Sequence, residues 1–188
     1  MKKSLPLEEA LSHHMYYGTY SALKSLIESC YYSQIRYGSA GHPSEMGACK
    51  EMYTVKMASS RRSGHTTAIA RAIPEYFNRA LILSHNRCMS DGLKKAFTSI
   101  YRELQAVPFD TNLTPIRIEE QSRLVTEDSE YIFGSTYNLR DFQGYNIRFE
   151  AVVVDASSIL TDKEEEDIYR YLLPCMLTYP ERFFIFVE

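Results

Sequence analysis

The segment 59–67, Ser-Ser-Arg-Arg-Ser-Gly-His-Thr-Thr, constrains the fold of this chain more than any other. It follows an apolar run at 52–58 and precedes an alanine-rich helical pattern at 66–73. A strand, a small polar loop and a helix in this order turn backbone N–H groups and a helix N-terminus towards an anion. The segment therefore predicts a phosphate-binding loop, in which His65 stands at the position where such loops carry lysine.

The rest of the chain alternates strand and helix patterns. Short apolar runs of the kind found in strands buried on both faces occur at 53–58, 79–84, 149–155 and 183–187, and weaker strand patterns occur at 116–118 and 131–135. Helical patterns occur at 65–73, 90–104 and 164–173. Alternation of this kind predicts an α/β fold with a three-layer, mostly parallel sheet and right-handed crossovers.

The region before the loop has a different character. Residues 7–35 show a helical spacing of apolar side chains, and 37–44 contain the glycines and proline of a loop. We therefore expect a helical N-terminal extension at 1–50 and an α/β core at 51–188, together forming one compact domain.

Composition limits the partners and the setting of the protein. The net charge of −3 over 188 residues excludes a general attraction to nucleic acid, so any such contact needs a local patch, for which Lys94, Lys95 and Arg102 offer a small basic face. The four cysteines are far apart in the sequence and no apolar run approaches the ~18–20 residues of a membrane span. We expect a reduced, soluble, cytoplasmic protein without a membrane partner, and surface positions for the histidines outside the loop, including His42 and His85.

A second element strengthens the phosphate-loop interpretation. The apolar run at 151–154 ends in Asp155. A carboxylate at the carboxyl end of a parallel strand lies where open α/β sheets bind ligands, so Asp155 and the hydroxyl of Thr66 could share a Mg²⁺ ion. A plainer interpretation stays open: the loop hydroxyls only cap a helix, and Asp155 is a solvated carboxylate at a strand end.

These motifs resemble a known family. Residues 60–67 look like the Ser-Arg-x-x-Gly-Lys-Thr-Thr loop of the ATPase domain of phage large terminase subunits, which are helicase-like P-loop NTPases. Ile-Phe-Gly-Ser at 132–135, Leu-Arg at 139–140, Gly-Tyr-Asn at 144–146 and the valine-rich strand that ends in Asp155 resemble the family's later segment, with 141–143 inserted. The resemblance covers about 52–188 and implies a three-layer sheet of the P-loop NTPase type.

The resemblance implies roles for individual residues. Arg61 falls on the position of a cis arginine finger and Asp155 on the Walker B aspartate, so these two would be catalytic. Thr66 and Asp155 would hold Mg²⁺. The phosphates of ATP or ADP would contact the loop residues Arg62, Ser63, Gly64, His65, Thr66 and Thr67.

Two departures from the family pattern weaken these roles. His65 replaces the Walker A lysine, and Ala156 replaces the Walker B glutamate that polarises the attacking water. Loss of a positioned base typically costs ~10²–10⁴-fold in rate. We therefore expect slow or no ATP hydrolysis, unless another acid near the strand ends substitutes; the candidates are Asp162, Glu164 and Glu188.

Three functions remain open on the sequence. The first is a degenerate nucleotide-binding protein related to terminase and helicase ATPase cores, acting in phage-type DNA packaging or DNA metabolism. Its partners would be nucleotide, DNA and viral packaging or replication proteins, in the host cytoplasm if the protein is viral. The second is a pseudo-ATPase module that acts through protein or nucleic-acid contacts without nucleotide. The third is an active NTPase whose loop is adapted to histidine.

Overall fold

The computed structural model describes residues 7–37, 42, 44–58, 64–106, 114–144, 148–155, 159–177 and 182–187. Within the first of these ranges, the side chains are described from Tyr17 to Arg36. The helices are α1 (Leu7–Tyr37), α2 (Glu45–Met52), α3 (His65–Tyr76), α4 (Arg87–Gln105) and α5 (Asp162–Leu172). The strands are β1 (Thr54–Met57), β2 (Arg79–Ser84), β3 (Ile118–Glu120), β4 (Arg123–Val125), β5 (Glu130–Ser135), β6 (Ala151–Asp155) and β7 (Phe183–Val187). Two 3-10 segments, Thr136–Gly144 and Leu173–Cys175, complete the described elements.

The described strands form one sheet of seven, in the order β1-β7-β6-β2-β5-β4-β3. The neighbouring pairs from β1 to β5 are parallel, whereas β5, β4 and β3 are joined by antiparallel pairs. The predicted mostly parallel α/β fold is confirmed. The strand before the loop and the strand that ends in Asp155 are not adjacent, because β7 lies between them.

Helices cover both faces of the sheet because the central strands are apolar on both sides. Ala80 and Ile82 of β2 belong to the apolar cluster on the face covered by α1, α3 and α4. Leu81 and Leu83 belong to the cluster on the other face, which is covered by α2, α5 and the 3-10 segments. Successive side chains of a strand point to opposite faces, so this alternation assigns each later strand residue to one of the two layers.

Helix α1 packs along α3 and onto the sheet. Leu23 and Ile27 are fully buried in the same cluster as α3. Lys24 forms an ion pair with Glu75 at 2.5 Å, and the Tyr20 hydroxyl donates to the same carboxylate. The predicted N-terminal helix is therefore present, and its inner side belongs to the core of the sheet.

Several element bounds differ from the sequence prediction. Strands 79–84 and 183–187 lie where they were predicted. Helix α2 was missed, because eight residues offer little periodicity; its start is marked by the Ser44 hydroxyl, which accepts from the Gly47 N–H at 3.0 Å. The strand predicted at 116–118 begins only at Ile118, and β4 was missed because the strands of this hairpin have three residues each.

The predicted basic face on α4 is wrong for Lys94. Lys94 is buried, and its ammonium lies 3.0 Å from Glu119. Arg102 lies 2.6 Å from the other oxygen of the same carboxylate. The single carboxylate of Glu119 on β3 therefore pairs with both cations and cancels one of their two charges, and the hydrogen bond from Lys94 is the main cause that lowers the pKa of this glutamate. Among the described helices, none combines the length and apolarity that crossing a membrane requires.

Candidate functional site

Three central strands end in polar side chains at one edge of the sheet. Ser84 ends β2 and is paired in register with Ser135 of β5 on one side and Asp155 of β6 on the other. These strands are parallel, so the three side chains lie side by side at the carboxyl edge. Asp155 is buried, with 6% of its surface exposed, so the plainer interpretation of a solvated carboxylate at a strand end is wrong.

Helix α3 begins at the same edge with an unusual cap. Gly64 precedes the helix with φ 78°, a left-handed conformation that glycine adopts without strain. It offers no side chain to cap the helix, and the first turn contains no acidic residue. The first N–H groups of a helix in this state attract an anion through their partial positive charge. His65, Thr66 and Thr67 occupy this first turn, and all three are half-buried.

The start of α3 contacts the end of β6 directly. Nε2 of His65 lies 3.0 Å from Oδ1 of Asp155. The contact with this carboxylate raises the pKa of His65 above its ordinary value, against an opposing effect of burial. The two residues singled out in separate motifs, 90 positions apart (155 − 65), therefore meet at one point of the carboxyl edge.

Buried polar atoms without hydrogen-bond partners cluster around this contact. Within the described ranges they include Nδ1 of His65 and Oγ of Ser84. Oδ1 of Asp155 also lacks an aligned hydrogen bond, and its contact with His65 is an ion pair when the imidazole is protonated. Each such atom costs about 1–3 kcal/mol when it stays unpaired. A polar ligand at this edge would satisfy them.

These donors and acceptors suit a phosphate group with a magnesium ion. The carboxylate of Asp155 and the hydroxyl of Thr66 are oxygen ligands of the kind that Mg²⁺ prefers, and the uncapped amides of α3 suit phosphate oxygens. Lysine is absent from the position that His65 occupies. The residues present therefore fit a phosphate group with a magnesium ion, but His65 offers the phosphates less positive charge than a lysine would.

The acids considered as substitutes for the missing glutamate have other contacts or lie outside the described residues. Glu164 accepts hydrogen bonds from the backbone N–H and the hydroxyl of Thr161, both at 2.8 Å, and these bonds lower the pKa of this glutamate. It thus completes the capping box at the start of α5. Asp162 is exposed in the same turn. Glu188, Ala156, Arg61, Arg62 and Ser63 lie outside the described residues.

Two residues at the edge were missed by the site prediction. Ser84 ends a strand beside Asp155, and His85 follows it. His85 was expected on the surface, but it is partly buried, and its Nε2 lies 2.8 Å from the hydroxyl of Tyr137. The usable signal was position: like Asp155, both residues stand where an apolar strand run ends.

No family model matches the chain, and no curated protein matches it. Solved structures do. The large terminase of bacteriophage HK97 is 11% identical with a TM-score of 0.53, and the match covers 72% of this chain and 29% of the terminase. The chain shares its fold with this terminase. The ATPase domain of the large terminase of Thermus phage P74-26 is 14% identical with a TM-score of 0.49, covering 72% of this chain and 58% of that one.

The comparison agrees with the resemblance found in the sequence, at the level of fold. This chain spans less than two thirds of each of these terminase chains. Because the identity is low, the shared property is the arrangement of strands and helices.

Proposed function

We propose that this chain binds ATP or ADP together with Mg²⁺ at its carboxyl edge. It would be a degenerate relative of terminase and helicase ATPase cores, acting in phage-type DNA packaging or DNA metabolism, with slow or no hydrolysis. The observation that carries the proposal is the 3.0 Å contact between His65, at the start of α3, and Asp155, at the end of β6. Two sequence signals of nucleotide binding thereby converge in a terminase-like fold.

Each residue has a definite part in this proposal. The amides of the first turn of α3, with Gly64 ahead of them, accept the phosphate charge. Thr66 and Asp155 hold the metal ion, which neutralises charge on the phosphates when it is bound. His65 contacts the phosphates in place of lysine, and Arg61 of the loop supplies the guanidinium. Arg62, Ser63 and Thr67 complete the loop.

The His65 contact also explains why binding should be weak. A cation that uses both carboxylate oxygens of Asp155 has to compete with the imidazole, whose affinity for a proton the same carboxylate increases. Part of the binding free energy of the nucleotide would then be used to break the contact between His65 and Asp155. The same contact favours the rival, a pseudo-ATPase module that acts without nucleotide.

Titration with a fluorescent ATP analogue in the presence of Mg²⁺ separates the two functions. Saturable binding that is lost in Thr66→Ala and in Asp155→Ala supports the nucleotide proposal. His42→Ala is the matched control, because His42 contacts Ser44 before the start of α2 and Glu51 in its last turn, so the substitution should leave binding unchanged. Absence of binding at millimolar analogue supports the module without nucleotide.

The partners follow from the same proposal. DNA and viral packaging or replication proteins would be the macromolecular partners, in the host cytoplasm if the protein is viral. The net charge of −3 requires any DNA contact to be local. Electrophoretic mobility of a DNA duplex with and without ATP and Mg²⁺ tests this part, and a mobility shift that Arg61→Ala and Arg62→Ala leave intact would exclude the loop from the contact.

A further inference from the structure

A cavity of about 480 Å³ lies at the amino edge of the sheet, opposite to the candidate site. Glu150 directly precedes β6 and Phe183 begins β7, and the register of Ala151 with Phe183 and with Ala80 shows that these parallel strands begin side by side here. The C-terminal half of α1 and the end of α3 form the remaining walls. The volume falls within the range of ~300–1,000 Å³ that ligand sites occupy, so the cavity can enclose a long side chain.

Five aromatic side chains make this an aromatic cavity: Tyr31, Tyr32, Tyr76, Phe77 and Phe183. Phe77 and Phe183 are buried, with ring centroids 5.0 Å apart, and Tyr31 stacks on Phe183 at 6.4 Å with 20° between the ring planes. Tyr31 and Tyr32 remain 44% and 70% exposed. The faces of aromatic rings attract cations, so the cavity has walls that suit a positively charged group with an apolar stem.

Two carboxylates, Glu28 and Glu150, also line the cavity, and the described residues around it include no cation. One oxygen of Glu28 accepts from the Tyr76 hydroxyl at 2.6 Å. One oxygen of Glu150 accepts from the backbone N–H groups of Asn78, at 2.6 Å, and Arg79, at 3.3 Å. The other oxygen of Glu150 lies 3.9 Å from Nε of Arg79, which is beyond hydrogen-bond distance. Each carboxylate is thus held through one oxygen and can accept from a cation through the other.

The apolar surface continues from the cavity along α1. Glu28, Tyr31, Tyr32 and Ile35 have the i, i+3, i+4, i+7 spacing of one helix face, and Ile35 is 54% exposed. Exposed apolar patches of this kind mark contacts with other proteins. A free cation would leave this part of α1 in water, whereas a polypeptide that places a cation in the cavity would cover it.

We propose that the aromatic cavity binds an arginine side chain of a partner protein, whose adjoining residues cover the Tyr31, Tyr32 and Ile35 face of α1. Arginine fits better than lysine, because its planar guanidinium stacks on aromatic rings and donates several hydrogen bonds to carboxylates. A nucleic acid could stack bases on Tyr31 and Tyr32, but its phosphates would be repelled by Glu28 and Glu150. The inference does not depend on the nucleotide proposal, because the two sites lie at opposite edges of the sheet.

NMR titration of the full chain with the peptide acetyl-Ala-Leu-Arg-Leu-Ala-amide tests the inference. The resonances of Tyr31 and Tyr32 should shift to saturation. The same peptide with citrulline, a neutral isostere of arginine, should bind about 10-fold more weakly, because hydrogen bonds to charged groups are stronger than those to neutral ones. Equal affinities for the two peptides, or no saturable binding at millimolar peptide, would overturn the inference.

Variants locate the contact on the chain. Glu28→Gln and Glu150→Gln keep an acceptor for the bonds that hold these side chains, and each should weaken binding about 5-fold. Glu103→Gln, an exposed glutamate on α4, is their control. Tyr32→Ala should weaken binding by a similar factor, and Tyr137→Ala, which removes a tyrosine that is 63% exposed, is its control. Losses of equal size in the controls would mean an unspecific attraction and would overturn the inference.

Other occupants of the cavity give different results. Spermidine that displaces the peptide at equal concentration would indicate a free polyamine. A thymidine oligonucleotide that binds more tightly than the peptide would indicate single-stranded nucleic acid. Self-association in sedimentation that Tyr32→Ala abolishes would indicate a second copy of this chain. Each of these three results would overturn the assignment to a partner protein.

A nucleotide titration of Glu28→Gln keeps the two proposals separate. This variant should bind the fluorescent ATP analogue as the wild type does, whereas Asp155→Ala should bind the arginine peptide as the wild type does. Failure of nucleotide binding alone would refute the proposed function and leave the peptide result unchanged. A loss of peptide binding in Asp155→Ala as large as that in Glu28→Gln would overturn the placement at the amino edge.

Discussion

Gly134 of β5 lies against an aromatic ring that leaves no room for a side chain. A Cβ atom built on Gly134 would be 2.2 Å from Cζ of Phe142 and 3.1 Å from both Cε atoms. Real Cβ atoms do not approach carbon this closely, so Gly134→Ala must move the ring or the strand. Phe142 is buried, with 6% exposed, and belongs to the cluster under α5, so the ring has little space to retreat.

The expected cost follows from the size of the overlap. Added carbon in a packed core typically costs 1–3 kcal/mol, and expulsion of a phenylalanine ring would cost a similar amount, so we expect Gly134→Ala to reduce the free energy of unfolding by about 2 kcal/mol. For a chain of 188 residues this corresponds to a fall in Tm of roughly 4–8 °C.

The same substitution at Gly92 provides a matched control. Gly92 lies on the exposed side of α4, and a Cβ there would meet nothing within 4 Å. Gly92→Ala should therefore stabilise the protein by about 0.5–1 kcal/mol through helix propensity. Urea denaturation of the two variants and the wild type measures both changes. Equal shifts of the same sign, or a neutral Gly134→Ala, would refute the reasoning from the Phe142 contact.

Three further predictions concern buried or half-buried ionic groups. His65→Lys should raise the affinity for a fluorescent ATP analogue, because lysine is longer and fully charged; unchanged or weaker binding would contradict a decayed lysine position. Because folding raises the pKa of His65, the protonated imidazole stabilises the folded protein fully below pH 6.5, and this stabilisation is lost as pH rises through the folded pKa. In urea denaturation, the wild type should therefore be more stable than His65→Gln at low pH, and this difference should shrink above neutral pH. Arg182 is buried, donates to Glu45 at 2.6 Å and lies over the ring of Tyr53, so Arg182→Ala should cost about 1–3 kcal/mol in the same assay, and a change below about 0.5 kcal/mol would argue against a structural role.

The sequence predicts the sheet well where burial is continuous. The runs at 79–84 and 183–187 become β2 and β7 with the predicted bounds, because a strand buried on both faces needs an unbroken series of apolar side chains. The position of Asp155 at the carboxyl edge follows from the same logic. What the pattern leaves open is strand order, and with it the insertion of β7 between β1 and β6.

The candidate site is predictable in its members and less so in their contacts. His65 and Asp155 are singled out by separate motifs, but a 3.0 Å approach between them depends on how α3 packs against the sheet. His85 was predicted on the surface, because its contact with Tyr137 depends on how the segment Thr136–Gly144 packs beside the end of β2. Lys94 was misjudged for a related reason, since its partner Glu119 belongs to a hairpin too short to predict.

The position of β7 between β1 and β6 also affects the order in which the chain can fold. Thr54 of β1 is paired with Phe184 of β7. The strand that leads into the loop therefore cannot pair with its neighbour until a segment about 130 residues later in the chain has been synthesised. Contacts between distant parts of a chain form slowly, because the entropy of closing the long intervening loop is lost before the contacts stabilise the fold. During synthesis on the ribosome, the carboxyl edge of the sheet can therefore be completed only after the chain has been made through Val187.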